Sequence, residues 1–515
     1  MIKFLNAMKK TVNREYNVSI TENGALGYRT TGKELLDINF SVSSMRNMSE
    51  QKIIDKFVKT FYEDKLLAVK WLFYAADVRE GMGERRLFRI CFSYLAKNHK
   101  DIAKAVLQLI PEYTRWDNLF VVLDTELFKE AAELIQHQLM EDLANMTEHK
   151  PISLLAKWMP SVNASSEETR RLARLLIAEF GMTQKSYRKM LSQMREYLKV
   201  VEVSMSAGNW EAIDYAEGPS RANLIYRNAF LKNDEQRRKE YLNKLEKGEE
   251  KIHAGVLFPH DIVHSYCEQK GWMSILKREA DTALEEMWKA LPDYVQGNGN
   301  TICVADGSGS MNTRVGNTDI SCLDVANALA IYFSERCHNA MKNQYITFSE
   351  HPQFVQLGKA ENLREKIEIA KRYNEMANTN IEAVFDLILQ TAVHERMKQE
   401  EMPANILILS DMEFDNCAVG NGGAKPTKEL FTVIAQRYAR YGYKLPRLVF
   451  WNICSRTGTI PVRENALGVA LVSGFSPAIM KMVLSESTNP LDCLLEQLNA
   501  KRYDAVEDAM RLCVS

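Results

Sequence analysis

Long apolar runs are missing from this chain. The longest stretches, such as 328–333, are far shorter than the roughly 18–20 residues that cross a bilayer as a helix, so no membrane association is expected. The opening MIKFLNAMKKTVNREYN is basic, but no apolar stretch follows it, so no signal peptide is expected. Also absent is any CxxC. The nine cysteines (91, 267, 303, 322, 337, 417, 454, 493, 513) are scattered and odd in number. That pattern argues against a disulfide frame or a zinc ribbon and for free thiols in a reducing cytoplasm, the expected location. Nor is there an excess of either charge: 66 Lys and Arg face 67 Asp and Glu. Nucleic-acid binding would have to come from a local patch rather than bulk charge. What is present is an ordinary globular mixture, 46% hydrophobic over 515 residues, enough apolar surface to offset chain entropy in several units or two large ones.

The chain divides by period. From about 50 to 295 apolar residues recur at helical spacing. In KLLAVKWLFYAADV, Leu66, Val69, Leu72, Phe73 and Ala76 share a face. Further helices are expected at 86–96, 102–110, 127–143, 167–180, 184–200, 234–246 and 282–295. Punctuation separates them: Gly81 and Gly83, Ser165-Ser166-Glu167-Glu168, Gly181 before Thr183, and Gly248. Serial helices with short joints form hairpins, which stack either as a solenoid or as an irregular bundle. No clean fixed-period repeat marks the choice. After QGNGN at 296–300, short apolar runs (301–305, 344–348, 405–409, 447–452, 467–472) alternate with helical segments at 323–337, 363–375, 381–397, 427–441, 477–484 and 491–498. Buried strands separated by helices make a doubly wound α/β sheet, whose ligands bind at the carboxyl ends of the strands.

Chemistry is concentrated at those ends. The strand TICVA runs into Asp306-Gly307-Ser308-Gly309-Ser310, a carboxylate and two hydroxyls at alternating positions of a tight turn. The strand NILILS delivers Asp411, and Thr379 sits in a polar turn opening the 381–397 helix. Asp306, Ser308, Ser310, Thr379 and Asp411 are hard oxygen donors suited to Mg²⁺ or Mn²⁺. This half resembles a von Willebrand factor A domain, a Rossmann-like fold with a metal-ion-dependent adhesion site. That family's pattern is DxSxS, a Gly-Gly-Thr turn, then an Asp after a hydrophobic strand. Ala377-Asn378 replaces the glycine pair here. The resemblance implies a recognition site whose open metal position takes a partner's carboxylate. No general base stands beside an activated nucleophile, and His338 and His351 lie in no motif, so the expectation is binding without catalysis.

A helical array followed by such a domain resembles the TROVE module of the Ro ribonucleoprotein family. The sequence resembles still more closely an uncharacterised domain-of-unknown-function family related to it. The tracts are DVREGMGERRLF (77–88), LAKWMPSVNASSEETRRL (155–172), YRKMLSQMREYLKVVEVSMSAGNWEAIDYAEGPSR (187–221) and LVFWNICSRTGTIPVRENALGVALVSGF (448–475). The Ro resemblance implies a HEAT-like α-helical solenoid, ring or horseshoe, at 50–296. It follows an N-terminal extension at 1–49 and precedes the A domain at 300–515. It also implies binding of small non-coding or misfolded RNA, by single-stranded ends or structured regions. Phosphate binding needs clustered cations, and single strands need aromatics for stacking. The candidates are Lys185, Arg188, Lys189, Arg195 and Lys199, interleaved with Tyr187 and Tyr197, and Arg79, Arg85, Arg86 and Arg89. Arg221, Arg227 and His253 are candidates for a lining. From 181 to 260 basic residues outnumber acidic ones by only 14 to 11, so a solvated charged face competes with this reading. Trp71, Phe73 and Tyr74 read as core, and Trp158 before Pro160 as packing or a helix stop. His260 and His264 lack a third zinc ligand. The expected function is therefore a non-catalytic RNA-binding protein carrying one Mg²⁺. The alternative is a metal-dependent docking or scaffold module for an acidic protein, including an assembly or viral component.

Overall fold

The computed structural model describes Met8 and residues 16–22, 26–270, 273–277, 279–295, 300–338, 340–348, 352–374, 381–414, 430–461, 469–484 and 489–514. The chain forms two compact units. One comprises Met1–Lys52, Val58–Glu63 and Leu257–Asn499; the other comprises Ile53–Phe57, Asp64–Val256 and Ala500–Ser515. The expected boundaries at 49/50 and 296/300 differ from this partition at both ends, for reasons visible in the hydrogen bonds below.

The first unit is built on a six-stranded mixed sheet of β5 (Thr301–Asp306), β6 (Gln344–Phe348), β7 (Gln353–Gln356), β8 (Asn405–Ser410), β9 (Arg447–Asn452) and β10 (Val469–Ser473), in the order β10-β9-β8-β5-β6-β7. All neighbours are parallel except β6 and β7. The five expected strands are present. The short edge strand β7, QFVQ, carried too little apolar signal to be read. β8 is almost wholly buried, as expected of a strand covered on both faces. From β5 the chain steps outward to β6, and later returns to lay β8 on the other side. The strand order therefore reverses between β5 and β8, and the crevice at their carboxyl ends is where ligands of such sheets bind.

The segment before residue 50 belongs to this unit. β1 (Val18–Ile20) and β2 (Leu26–Tyr28) form a hairpin, and Tyr28 exchanges 2.8 Å main-chain hydrogen bonds with Ile460. The Ser43 hydroxyl donates to the Asn452 carbonyl at 2.7 Å, and the Asn452 amide donates to the Phe40 carbonyl at 2.8 Å. Residues 257–295 join it too. They include an unforeseen hairpin, β3 (Cys267–Lys270) with β4 (Met273–Leu276). The helix expected at 282–295 ends at Lys289.

The second unit is helical. Its punctuation follows the sequence signals. Ser166 caps the helix Glu167–Glu179 by accepting from the Thr169 amide. Gly181 takes a φ of 62° just before Thr183, whose capping box with Ser186 opens the helix Gln184–Tyr197. Gly81 is held by close approach: a Cβ there would lie 1.9 Å from the Tyr74 carbonyl oxygen. Trp71, Phe73 and Tyr74 are core, as read from the sequence. Phe73 meets Phe88 and Tyr113 edge-on, with ring centroids 5.6 and 5.4 Å away. The helix Asp504–Val514 completes this core. Tyr503, just before it, stacks on Tyr113 at 5.6 Å, and the buried Asp77 carboxylate accepts from Arg502 and from the Tyr503 hydroxyl. Two expectations need correction. The 184–200 segment breaks after Tyr197, with Lys199 at a φ of 48°, and resumes at Val201–Ser206. The helix Ser220–Asn233 was not foreseen.

Candidate functional site

Two of the expected metal donors, Asp306 and Asp411, flank the point where the strand order reverses. Asp306 closes β5, and its Oδ1 accepts from the Ser308 amide at 2.9 Å. Its Oδ2 accepts from the Ser410 hydroxyl at 2.7 Å, which ties the end of β5 to the end of β8. The Ser308 and Ser310 hydroxyls lie 2.9 Å apart. Asp411 follows β8; its Oδ1 accepts from the Glu413 amide at 3.2 Å, while its Oδ2 is buried with no hydrogen-bond partner. Burial is the largest cause raising both carboxyls. The charge of Asp411 adds to the rise at Asp306, and the Ser310 hydroxyl opposes the rise at Asp411. Asp306, Ser308, Ser310 and Asp411 are thus neighbours in one pocket of oxygens. Thr379 lies outside the described residues.

This donor set suits a hard cation. Two buried carboxylates repel each other, and an orphaned buried oxygen is costly unless something positive reaches it. Among the described residues no three His, Cys, Asp or Glu side chains converge as a metal cluster, so a cation here would rest on two carboxylates and hydroxyls. Among the described residues a cation nearby is Arg456, whose guanidinium lies 3.6 Å from Asp411 Oδ2 and pairs with Glu22 at 2.5 Å.

The sequence reading missed Glu413. Its carboxylate, 1% exposed, accepts from the amides of Arg456 and Thr457 at 2.9 Å each and from the hydroxyls of Ser455 and Thr457 at 3.1 and 3.0 Å. The Glu22 amide donates to its other oxygen at 2.8 Å. Glu413 fixes the loop after β9 against the end of β8. Met412, between the two acids, is held at a φ of 64°, a left-handed conformation that turns the chain sharply there. Beside this loop the buried thiols of Cys322 and Cys454 hydrogen-bond to each other, which holds the Cys454 thiol below its ordinary range.

The expected RNA-binding residues fall in three groups. Lys185, Arg188, Lys189 and Lys199 are exposed, along and just past the helix Gln184–Tyr197. Arg195 does not join them. Its guanidinium donates to the carbonyls of Ala156 and Met159 at 2.8 Å each and to the Ser161 hydroxyl at 3.2 Å, so its fork is satisfied internally. Tyr187 is buried, its hydroxyl on the Pro160 carbonyl at 2.9 Å, and offers no stacking face. Arg227 is buried and His253 exposed. His260 packs between Phe258 and Phe475, with ring centroids 5.6 and 5.4 Å away.

The third group is a convergence. Arg79, Arg85, Arg86 and Arg221 are exposed. Arg85 opens the helix Arg85–Asn98 and Arg221 lies in the first turn of Ser220–Asn233. Although Arg85 is exposed as a residue, its guanidinium is held below its ordinary range by partial desolvation first, then by the like charges of Arg115, Arg89 and Arg221, with Asp117 opposing. Asp117 itself accepts from Arg89 at 2.7 Å and from Arg115 Nε at 2.8 Å. Arg89 and Arg115, from two separate segments, therefore share Asp117, and Arg85 lies one helical turn from Arg89. Arg115 was not singled out in the sequence, because nothing local to it announces the company it keeps.

No helix among the described residues is long and apolar enough to cross a membrane. Two family models match the chain, Domain of unknown function (DUF2828) over residues 21–114 and 178–301, and Domain of unknown function (DUF7788) over residues 300–509. Among solved structures the chain resembles the crystal structure of the Deinococcus radiodurans RO (RSR) protein at 15% identity and a TM-score of 0.45, covering 83% of this chain and 92% of that one. Uncharacterized protein L728 of Acanthamoeba polyphaga mimivirus is 30% identical over 526 residues, spanning 94% of this chain and 87% of that protein. On that identity over nearly its whole length, the chain belongs to the same family as the uncharacterized mimivirus protein.

Proposed function

We propose that this is a non-catalytic RNA-binding protein whose helical unit, built of HEAT-like hairpins, holds single-stranded or structured small RNA. The observation that carries the reading is the meeting of Arg89 and Arg115, from two segments, on the Asp117 carboxylate, with the exposed Arg85 one helical turn from Arg89. Like charges placed together cost free energy in the free protein, and a polyanion relieves that cost. The exposed Lys185, Arg188 and Lys189 supply a second row of cations. Binding then depends steeply on salt, because each neutralised phosphate releases counterions. A labelled RNA oligomer titrated at two salt concentrations should lose affinity by orders of magnitude between about 50 and 200 mM salt. Failure to bind at the lower salt would refute the reading.

The sheet unit supports a second component. It is read as a von Willebrand A-type domain in which Asp306, Ser308, Ser310 and Asp411, with Thr379, hold one Mg²⁺ or Mn²⁺. The favouring observation is the buried Oδ2 of Asp411, which has no hydrogen bond and only the Arg456 guanidinium at 3.6 Å, in a group that also holds Asp306 and the paired Ser308 and Ser310 hydroxyls. Such an ion supplies a Lewis-acidic position for an acidic protein ligand. In the same titration series, EDTA or Asp306→Ala should leave RNA affinity unchanged while abolishing Mg²⁺ uptake by calorimetry.

A further inference from the structure

Beside the arginine convergence the helical unit carries an open cleft of about 340 Å³. Trp158, Phe120, Pro160 and Leu172 give it apolar walls, and Arg89 and Asp117 form part of its lining. Trp158, Phe120 and Leu172 are each only half-buried, so apolar surface faces water here. The volume lies within the range of small-ligand sites, which pair apolar walls with a few fixed polar groups.

Trp158 differs from two other tryptophans of the chain. The indole N–H groups of Trp288 and Trp451 are bonded to Glu335 and to the Gly474 carbonyl at 2.7 Å each. Among the described residues Trp158 has no such bond. One face of its ring is covered instead by the Arg115 guanidinium, 3.8 Å from the ring centroid. Arg115 is pinned by Asp117, and Asp117 also holds Arg89, which donates to Asn118 at 2.6 Å. The indole is therefore backed by the pinned Arg115 guanidinium, with Lys157 Nζ farther off at 5.7 Å from the ring centroid, and the half-buried ring lines the cleft. A backed aromatic in an apolar cleft selects a flat heteroaromatic ring. The adjoining cations, Arg89 in the lining and Arg85 one helical turn from it, select an anion attached to it. A base with its phosphate is the chemical class that meets both demands.

We infer that this cleft takes one base of a single-stranded RNA, stacked against Trp158, with the adjoining phosphate on the Arg85 and Arg89 side. The inference rests on the RNA reading above and specifies where single strands, as opposed to duplexes, are held. A duplex keeps its bases stacked inside and has no ring to offer the cleft.

The test uses the full chain and three probes: a fluorescein-labelled 15-mer of uridylate, a labelled RNA duplex of the same length, and free UMP as competitor. Trp158→Leu should weaken the single strand about tenfold and leave the duplex and the salt slope unchanged, because stacking carries no counterions. Trp158→Phe should recover most of the loss, which a merely structural role for the side chain would not require of the single strand alone. Arg85→Gln should weaken both probes and lower the salt slope by about one. If Trp158→Leu, folded by circular dichroism, binds the single strand as the wild type does, the assignment falls and the RNA reading stands. If wild type binds neither RNA, both fall. If UMP displaces the 15-mer at equal concentration, the occupant is a free nucleotide and the assignment to a chain is overturned.

Discussion

The acids after β8 divide sharply in how they could be read. Asp411 was visible because an apolar run, NILILS, ends on it and a carboxylate at a strand end has few structural uses. Glu413, two residues on, was not. Its partners are the amides and hydroxyls of 455–457, some forty positions away, and nothing in the local sequence distinguishes it from a solvated acid. Removing it strands at least two main-chain N–H groups in a buried place, each costing about 1–3 kcal/mol. Glu413→Ala should therefore lower the unfolding free energy by about 3 kcal/mol or more in urea titration. Arg195 teaches the converse. Its place among Arg188, Lys189 and Lys199 suggested a basic cluster, but each of its three guanidinium nitrogens donates to a nearby group at 156–161.

Elements were more legible than their partners. The strands of the sheet and most of the helices fall within a few residues of the apolar periods, because a buried strand must be apolar throughout and an amphipathic helix must repeat. The helix Ser220–Asn233 escaped notice because its buried face includes Asn223 and Arg227, which break the apolar stripe. The terminal helix Asp504–Val514 lays Glu507 against the buried Lys70 ammonium at 2.8 Å. That hydrogen bond is the chief reason the Glu507 carboxyl sits below its ordinary value of about 4.5. A depressed folded value means the contribution is present above the unfolded value and is lost as pH falls through the folded one. Glu507→Gln should thus lower the melting temperature at neutral pH, with the difference from wild type shrinking to nothing in strong acid. A thermal melt series from pH 7 to pH 2 measures this.

At the scale of the molecule, the change of period near residue 300 marks the start of the six-stranded sheet, but residues 257–295 already belong to the sheet unit. It could not reveal that the segment before 50 closes over the carboxyl edge of β9 and β10, or that the last helix belongs with the first ones. Those assignments depend on pairs such as Ser43 with Asn452 and Asp77 with Arg502, which no local pattern encodes. Truncation after Asn499 should unfold the helical unit, since it removes Tyr503 and leaves Asp77, fully buried, without the Arg502 fork. Loss of cooperative melting by circular dichroism at 222 nm would register it.

That arrangement has a consequence for how the chain is made. A ribosome emits residues 64–256 long before 500–515, yet the helices of the early segment meet their final aromatic and ionic partners only in the latter. The nascent helical part must wait, incompletely closed, while the entire strand-and-helix region is synthesised between. Its closure waits for residues 500–515 to leave the ribosome and not for the completion of its own helices.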